Sequence, residues 1–263
     1  MDMETAPPPG PPPAPVPAPV PVPPLPPFGA GKAFLSLGLF LLAQIVVGVG
    51  VVIVAMAIKP GIQDPMKDPA LVTMLILTGG LASAGGVAGA ARLWAWPLVL
   101  DRTPSGLGVF IPRRRELLLW ASIGVALGLA YLAVAILVPS GADSGGGPLA
   151  QAAGRGGWSR LVWAAMALLV APPSEELLFR GLLLKGFASS WGAAWASVVV
   201  TVIFAALHLT ETLHYWPATL FILGMAVTAL VARLRTGSVV ASMAFHVAYN
   251  GVIVAAVYLL PNR

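Results

Sequence analysis

Two adjacent glutamates, Glu175 and Glu176, with Arg180 four residues beyond the second, sit in a run of otherwise apolar residues. Two of the chain's three histidines have the same kind of setting: His208 follows Phe204 by four positions, and Asn250 follows His246 by four. Residues four apart share one face of a helix, so each pair can turn toward a common interior. Ionisable side chains are costly inside a bilayer, and their presence in a span marks a functional site by default. Glu176 and Arg180 read as a buried ion pair that keeps helices in register. Glu175 points about 100° away from that pair and is the candidate general base. Imidazole can accept or relay a proton, and histidine or asparagine N–H groups can stabilise an oxyanion. The set therefore contains what is needed to split an amide with water, without a serine or cysteine nucleophile. The chain has no cysteine at all.

The elements that must hold these residues follow from composition. Of 263 residues, 58% are hydrophobic and 10% charged, too few charges to solvate the surface of a soluble enzyme. The net charge of +5 comes from short basic stretches between apolar runs, which fits lipid contact and membrane orientation and not nucleic-acid binding. Seven runs are long enough to span: approximately Phe34 to Ile58, Leu71 to Trp96, Leu117 to Val138, Trp158 to Phe187, Gly192 to Leu209, Trp216 to Ala232 and Val239 to Leu260. None alternates as barrel strands do, so the expected fold is all-α, a polytopic membrane helix bundle with about seven transmembrane helices and a four-helix C-terminal catalytic core.

Three parts are expected. Residues 1–31 form a proline-rich arm, with 14 prolines up to Pro27, disordered and close to polyproline II. Its acidic start, with Asp2 and Glu4, argues against a signal peptide, so the N-terminus is expected to be retained. Residues 32–140 supply three N-terminal helices without comparable ionisable groups, and residues 158–263 supply the core. A Gly- and Ser-rich link from Ser140 to Gly157 joins them. With the N-terminus in the cytoplasm, the inner side carries nine Lys and Arg and the outer side five, so the chain is expected in the cell membrane with its N-terminus inside and its C-terminus outside. Arg113, Arg114 and Arg115 act as a positive-inside anchor, Trp94, Trp96, Trp158 and Trp216 belong to an interfacial belt, and Tyr249 is placed to line the cavity. Glu211 and His214 read as solvated turn residues. Pro172 and Pro173 are expected to kink or restart the fourth helix, with Ser174 near the new N-terminus and both glutamates in its first turn.

In these motifs the chain resembles the CAAX prenyl protease and bacteriocin-processing family of intramembrane peptidases, also called CPBP or Abi proteins. The resemblance rests on Glu175, Glu176 and Arg180 with Phe179 and Gly181, on Phe204 with His208, and on His246 with Asn250. The approach Arg235, Thr236, Gly237, Ser238 and the intervening Gly224 add to it. It covers about Trp158 to Leu260. It implies an endopeptidase that hydrolyses a peptide bond at or within the membrane, after a prenylated cysteine in eukaryotic members. By the same resemblance Glu175 and His208 activate the water, His246 and Asn250 form the oxyanion pocket, Glu176 and Arg180 position the first glutamate, and Phe204 supports the site. Members have also been described as metalloproteases; no metal is assigned here, with zinc on Glu175, His208 and His246 as the alternative. The implied partners are membrane lipid and a peptide or protein substrate, possibly lipidated, and no nucleic acid. Competing readings are a non-catalytic bacteriocin-immunity or scaffold protein and, last, a proton-coupled transporter, for which the first three spans lack a repeat of the motifs.

Overall fold

The structure, a computed structural model, describes residues 27–61, 64, 67–103, 105–138, 157–209 and 215–259. The proline-rich arm to residue 26, the Ser140–Gly157 link up to residue 156, and Glu211 with His214 lie outside the described residues. Among those described there are helices and no strands: α1 (Ala30–Ile58), α2 (Pro69–Trp94), a short α3 (Trp96–Leu100), α4 (Arg114–Leu137), α5 (Gly157–Trp191), α6 (Ala193–Leu207), α7 (Trp216–Thr236) and α8 (Val239–Leu259). Six of these, α1, α2, α4, α5, α7 and α8, are long and apolar enough to cross a membrane. The chain is a multi-pass membrane protein. The expected fifth span is α6, whose 15 residues reach about 22 Å at 1.5 Å each, short of the roughly 30 Å of hydrocarbon.

Local chemistry sets the ends that matter. Asp68 caps α2, its side chain accepting from the amides of Ala70 and Leu71, with Pro69 at the first helical position where a missing amide costs nothing. Gly237 ends α7 in the left-handed conformation at φ +69°, and its amide returns to the Arg233 carbonyl. That turn is strapped to the segment before α4: the Val239 amide donates to Gly108 O at 2.9 Å, and the Ser238 hydroxyl donates to Phe110 O.

The two prolines of α5 do not restart it. The helix runs unbroken from Gly157 to Trp191, and it widens into π-helical turns at Met166–Val170 and Leu177–Leu183. Pro172 and Pro173 open the α-helical stretch Ala171–Glu176 between them, so Glu175 and Glu176 stand at its far end and not in a first turn. A wide turn upstream accommodates residues that lack an amide donor without breaking the helix.

Helix α4 packs along α8, where Gly124 and Gly128 admit the other backbone: a Cβ at Gly124 would run into Phe245 O, and one at Gly128 would lie 2.8 Å from Val252 Cβ. Small residues at such crossings let helices approach where no hydrophobic force acts between them. The partners Phe245 and Tyr249 are neighbours of His246 and Asn250. At the other end Tyr215 Oη donates to Val138 O at 2.8 Å and ties the start of α7 to the end of α4. Burial pushes the Tyr215 phenol above its usual range, which keeps it protonated and a donor.

Candidate functional site

The interior holds one compact charged cluster. Glu176 is fully buried, and its Oε1 accepts from Arg180 Nη1 at 3.2 Å and lies 2.9 Å from His246 Nδ1. The expected Glu176–Arg180 pair is therefore present, and α8 joins it through His246. Arg180, at 1% exposure, also donates from Nη2 to Ala226 O in α7 at 2.8 Å and sets its guanidinium 4.7 Å from the centre of the Phe204 ring in α6. One side chain thus ties α5, α6 and α7 together, and Glu176 adds α8 through His246. Glu176 Oε2 and Arg180 Nε are buried without a partner among the described residues. A carboxylate accepts and does not donate, so at His246 the Nδ1 carries the proton and Nε2 is the outward nitrogen. One carboxylate and one guanidinium balance; a neutral His246 leaves the cluster uncharged, and a protonated His246 leaves it at +1, a charge that a developing oxyanion would offset.

His208 stands one residue past the end of α6, as its C-cap. Its Nδ1 lies 2.9 Å from Phe204 O, and its ring stacks on the Phe204 ring with centroids 4.4 Å apart. A carbonyl only accepts, so Nδ1 holds the hydrogen and Nε2 keeps its lone pair, the tautomer that a general base needs. Phe204 is fully buried, packs edge-on against Phe179 at 5.0 Å, and links His208 to Arg180.

Glu175 is half-buried and makes no hydrogen bond or ion pair among the described residues. The two adjacent carboxylates therefore have opposite settings. Asn250, also half-buried, donates from Nδ2 to Ala167 O in the first π turn of α5 at 2.8 Å, a partner that the sequence did not indicate. Tyr249 is buried at 5% exposure. A Cβ on Gly224 would meet open space, so no close approach there demands a glycine. The sequence also gave no hint of Arg233, whose Nε donates to Arg180 O at 3.1 Å and whose Nη2 donates to Leu107 O. Its one visible mark is a position four residues before Gly237.

The structure thus brings Glu176, Arg180 and His246 into direct contact and joins Phe204 and His208 to them through ring contacts. Zinc held by Glu175, His208 and His246 would need these three in one coordination sphere. Among the described residues no group of three or more histidine, cysteine, aspartate or glutamate side chains could hold a metal ion.

Residues 157–252 match a protein-family model, the Rce1-like family of type II CAAX prenyl endopeptidases. The match is consistent with the CPBP family and covers Glu175, Glu176, Arg180, Phe204, His208, His246 and Asn250. It supports a place in the CAAX-protease-like family of intramembrane peptidases. Neither the comparison with curated proteins nor that with solved structures returned a match.

Proposed function

We propose that this chain is an intramembrane endopeptidase that hydrolyses a peptide bond near the membrane with water activated by Glu175 and His208. The observation that carries the reading is the division between the two glutamates. Glu176 is spent on Arg180 and His246, whereas Glu175 has no partner among the described residues and keeps its carboxylate for a proton. The fixed tautomer of His208, with Nε2 unprotonated, supports it as the second proton acceptor. In this account water loses its proton to that pair and its oxygen attacks the carbonyl carbon. Protonated His246, donating from Nε2, and the second amide hydrogen of Asn250 stabilise the oxyanion, and the departing amine takes from Glu175 and His208 the proton that the water gave up as the C–N bond breaks. Glu176 and Arg180 position the pair and Phe204 supports it. Substrates are peptides or proteins, lipidated ones included, held at a cell membrane.

The test is incubation of the purified protein in lipid with matched prenylated and unprenylated C-terminal peptides, with mass spectrometry of the fragments. Release of a C-terminal fragment from the prenylated peptide supports the reading. If neither peptide nor membrane extract of its host is ever cut by folded protein, the peptidase account fails.

A further inference from the structure

The two prolines of α5 leave an accounting problem in its backbone, and Asn250 answers part of it. At the end of the π turn Met166–Val170 the Ala171 amide goes to Met166 O, five residues back. The next bond in that register would run from residue 172 to Ala167 O, but residue 172 is proline and has no N–H. Ala171, the donor that an α-helical register would offer to Ala167, is already bonded to Met166. Ala167 O is therefore left without a donor from its own helix, in a setting with no bulk water to take the place of one. Asn250 Nδ2, 83 residues away on α8, fills that place at 2.8 Å. In the second π turn a carbonyl also takes a donor from another helix: Arg180 O lies within Leu177–Leu183 and receives Arg233 Nε from α7.

We infer that Asn250 is a positioning residue whose side-chain amide replaces the missing N–H of Pro172, fixing the bend that carries Glu175 and Glu176 to the helix that carries His246. A wide turn with an unanswered carbonyl could relax into several registers, each aiming the glutamates differently. The cross-helix bond selects one. This role is separate from the oxyanion role above, because one N–H of the asparagine goes to Ala167 and the other remains. Its effect on catalysis rests on the peptidase reading; its effect on the fold does not.

The distinguishing experiment is a double-substitution cycle on the full chain in lipid, with Asn250→Leu, which keeps the branched side-chain shape, Asn250→Ala, and Pro172→Ala alone and combined with each. An alanine at 172 restores an amide, and either register then gives Ala167 O a backbone donor. Each Asn250 variant should lower the unfolding temperature, and Pro172→Ala should restore most of that loss. In cleavage assays Asn250→Leu should reduce kcat by at least about ten-fold with KM little changed, and the double variant should recover only the part lost to misplacement, because the oxyanion donor is still missing. Should a single variant fail to accumulate, recovery of folded yield in the double variant is the readout. Strictly additive losses, with no recovery of stability or yield from Pro172→Ala, overturn the proposal. Recovery of stability with no recovery of kcat overturns the positioning role in the reaction and leaves Asn250 to the oxyanion. If the wild-type protein cleaves nothing, the peptidase reading falls, and the thermal arm still decides whether Asn250 replaces the proline amide.

Discussion

Helices α1, α2 and α4 differ from α5, α7 and α8 in what surrounds their side chains. In α1 only 6% of the most apolar 18-residue stretch is buried, and in α7 44% is. The exposed residues of α1 are large and apolar, among them Leu35, Ile45, Val49 and Ile53, and lipid meets them without any requirement of shape. The later helices bury Glu176, Arg180 and His246, and each of these must be met by a particular partner. A lipid-facing helix therefore needs only apolarity and length. A helix with buried charges is tied to its neighbours atom by atom, and substitutions in the two regions should differ accordingly.

The largest difference should come from Arg180. Arg180→Leu strands the buried Glu176 carboxylate and removes the bonds to Ala226 and the ring of Phe204, a loss of about 3–5 kcal/mol of stability. Thermal unfolding in detergent reads it directly. Wild-type stability in that variant would mean that the cluster does not hold the helices.

Glycines sharpen the comparison, because the residue type is the same in both regions. Gly124→Leu forces α4 away from Phe245 and should cost about 1–3 kcal/mol, with a fall in turnover as His246 moves. Gly48 in α1 has nothing within 4 Å of a built Cβ, so Gly48→Leu should stay within about 0.5 kcal/mol of wild type. Equal effects at both positions would erase the distinction between the regions.

The smallest effect should be at Asp68, outside the membrane. The Leu71 amide first, and then Lys59, hold its carboxyl below the ordinary value of 3.8. A depressed folded-state value contributes stability that is complete above that ordinary value and is lost as pH falls through the lowered one. Asp68→Ala should therefore melt slightly below wild type at neutral pH, and the gap should close in strong acid. A gap that persists there would point to something other than the charged cap.

Much of this architecture was open to a reader of the sequence. Runs of apolar residues gave helices whose ends fall within a few residues of α1, α2, α4, α7 and α8, because length and hydropathy decide what crosses a bilayer. The spacing of Glu176 and Arg180 gave their pair, since four residues on a helix is a local rule. The partner of His246 was not legible, because a contact across 70 residues depends on how α5 and α8 are rotated, and apolar periodicity is weak in helices that lipid surrounds. The π turns of α5 were missed for a related reason. Pro172 and Pro173 announce a disturbance but not its form, and the form depends on donors such as Asn250 that another helix must provide. Phe204 and His208 were read as one helical stripe; their rings do stack, although the helix ends one residue short of His208.

Neighbouring glutamates with different duties form the centre of this account, and one paired measurement tests it: turnover and unfolding temperature for Glu175→Gln beside Glu176→Gln. Glu175→Gln should keep the wild-type unfolding temperature and lose turnover by about 10²–10⁴-fold, as expected for removal of a general base. Glu176→Gln should lower the unfolding temperature itself, because the buried Arg180 guanidinium loses its anionic partner. A folded Glu175→Gln protein that cleaves at the wild-type rate would contradict the account.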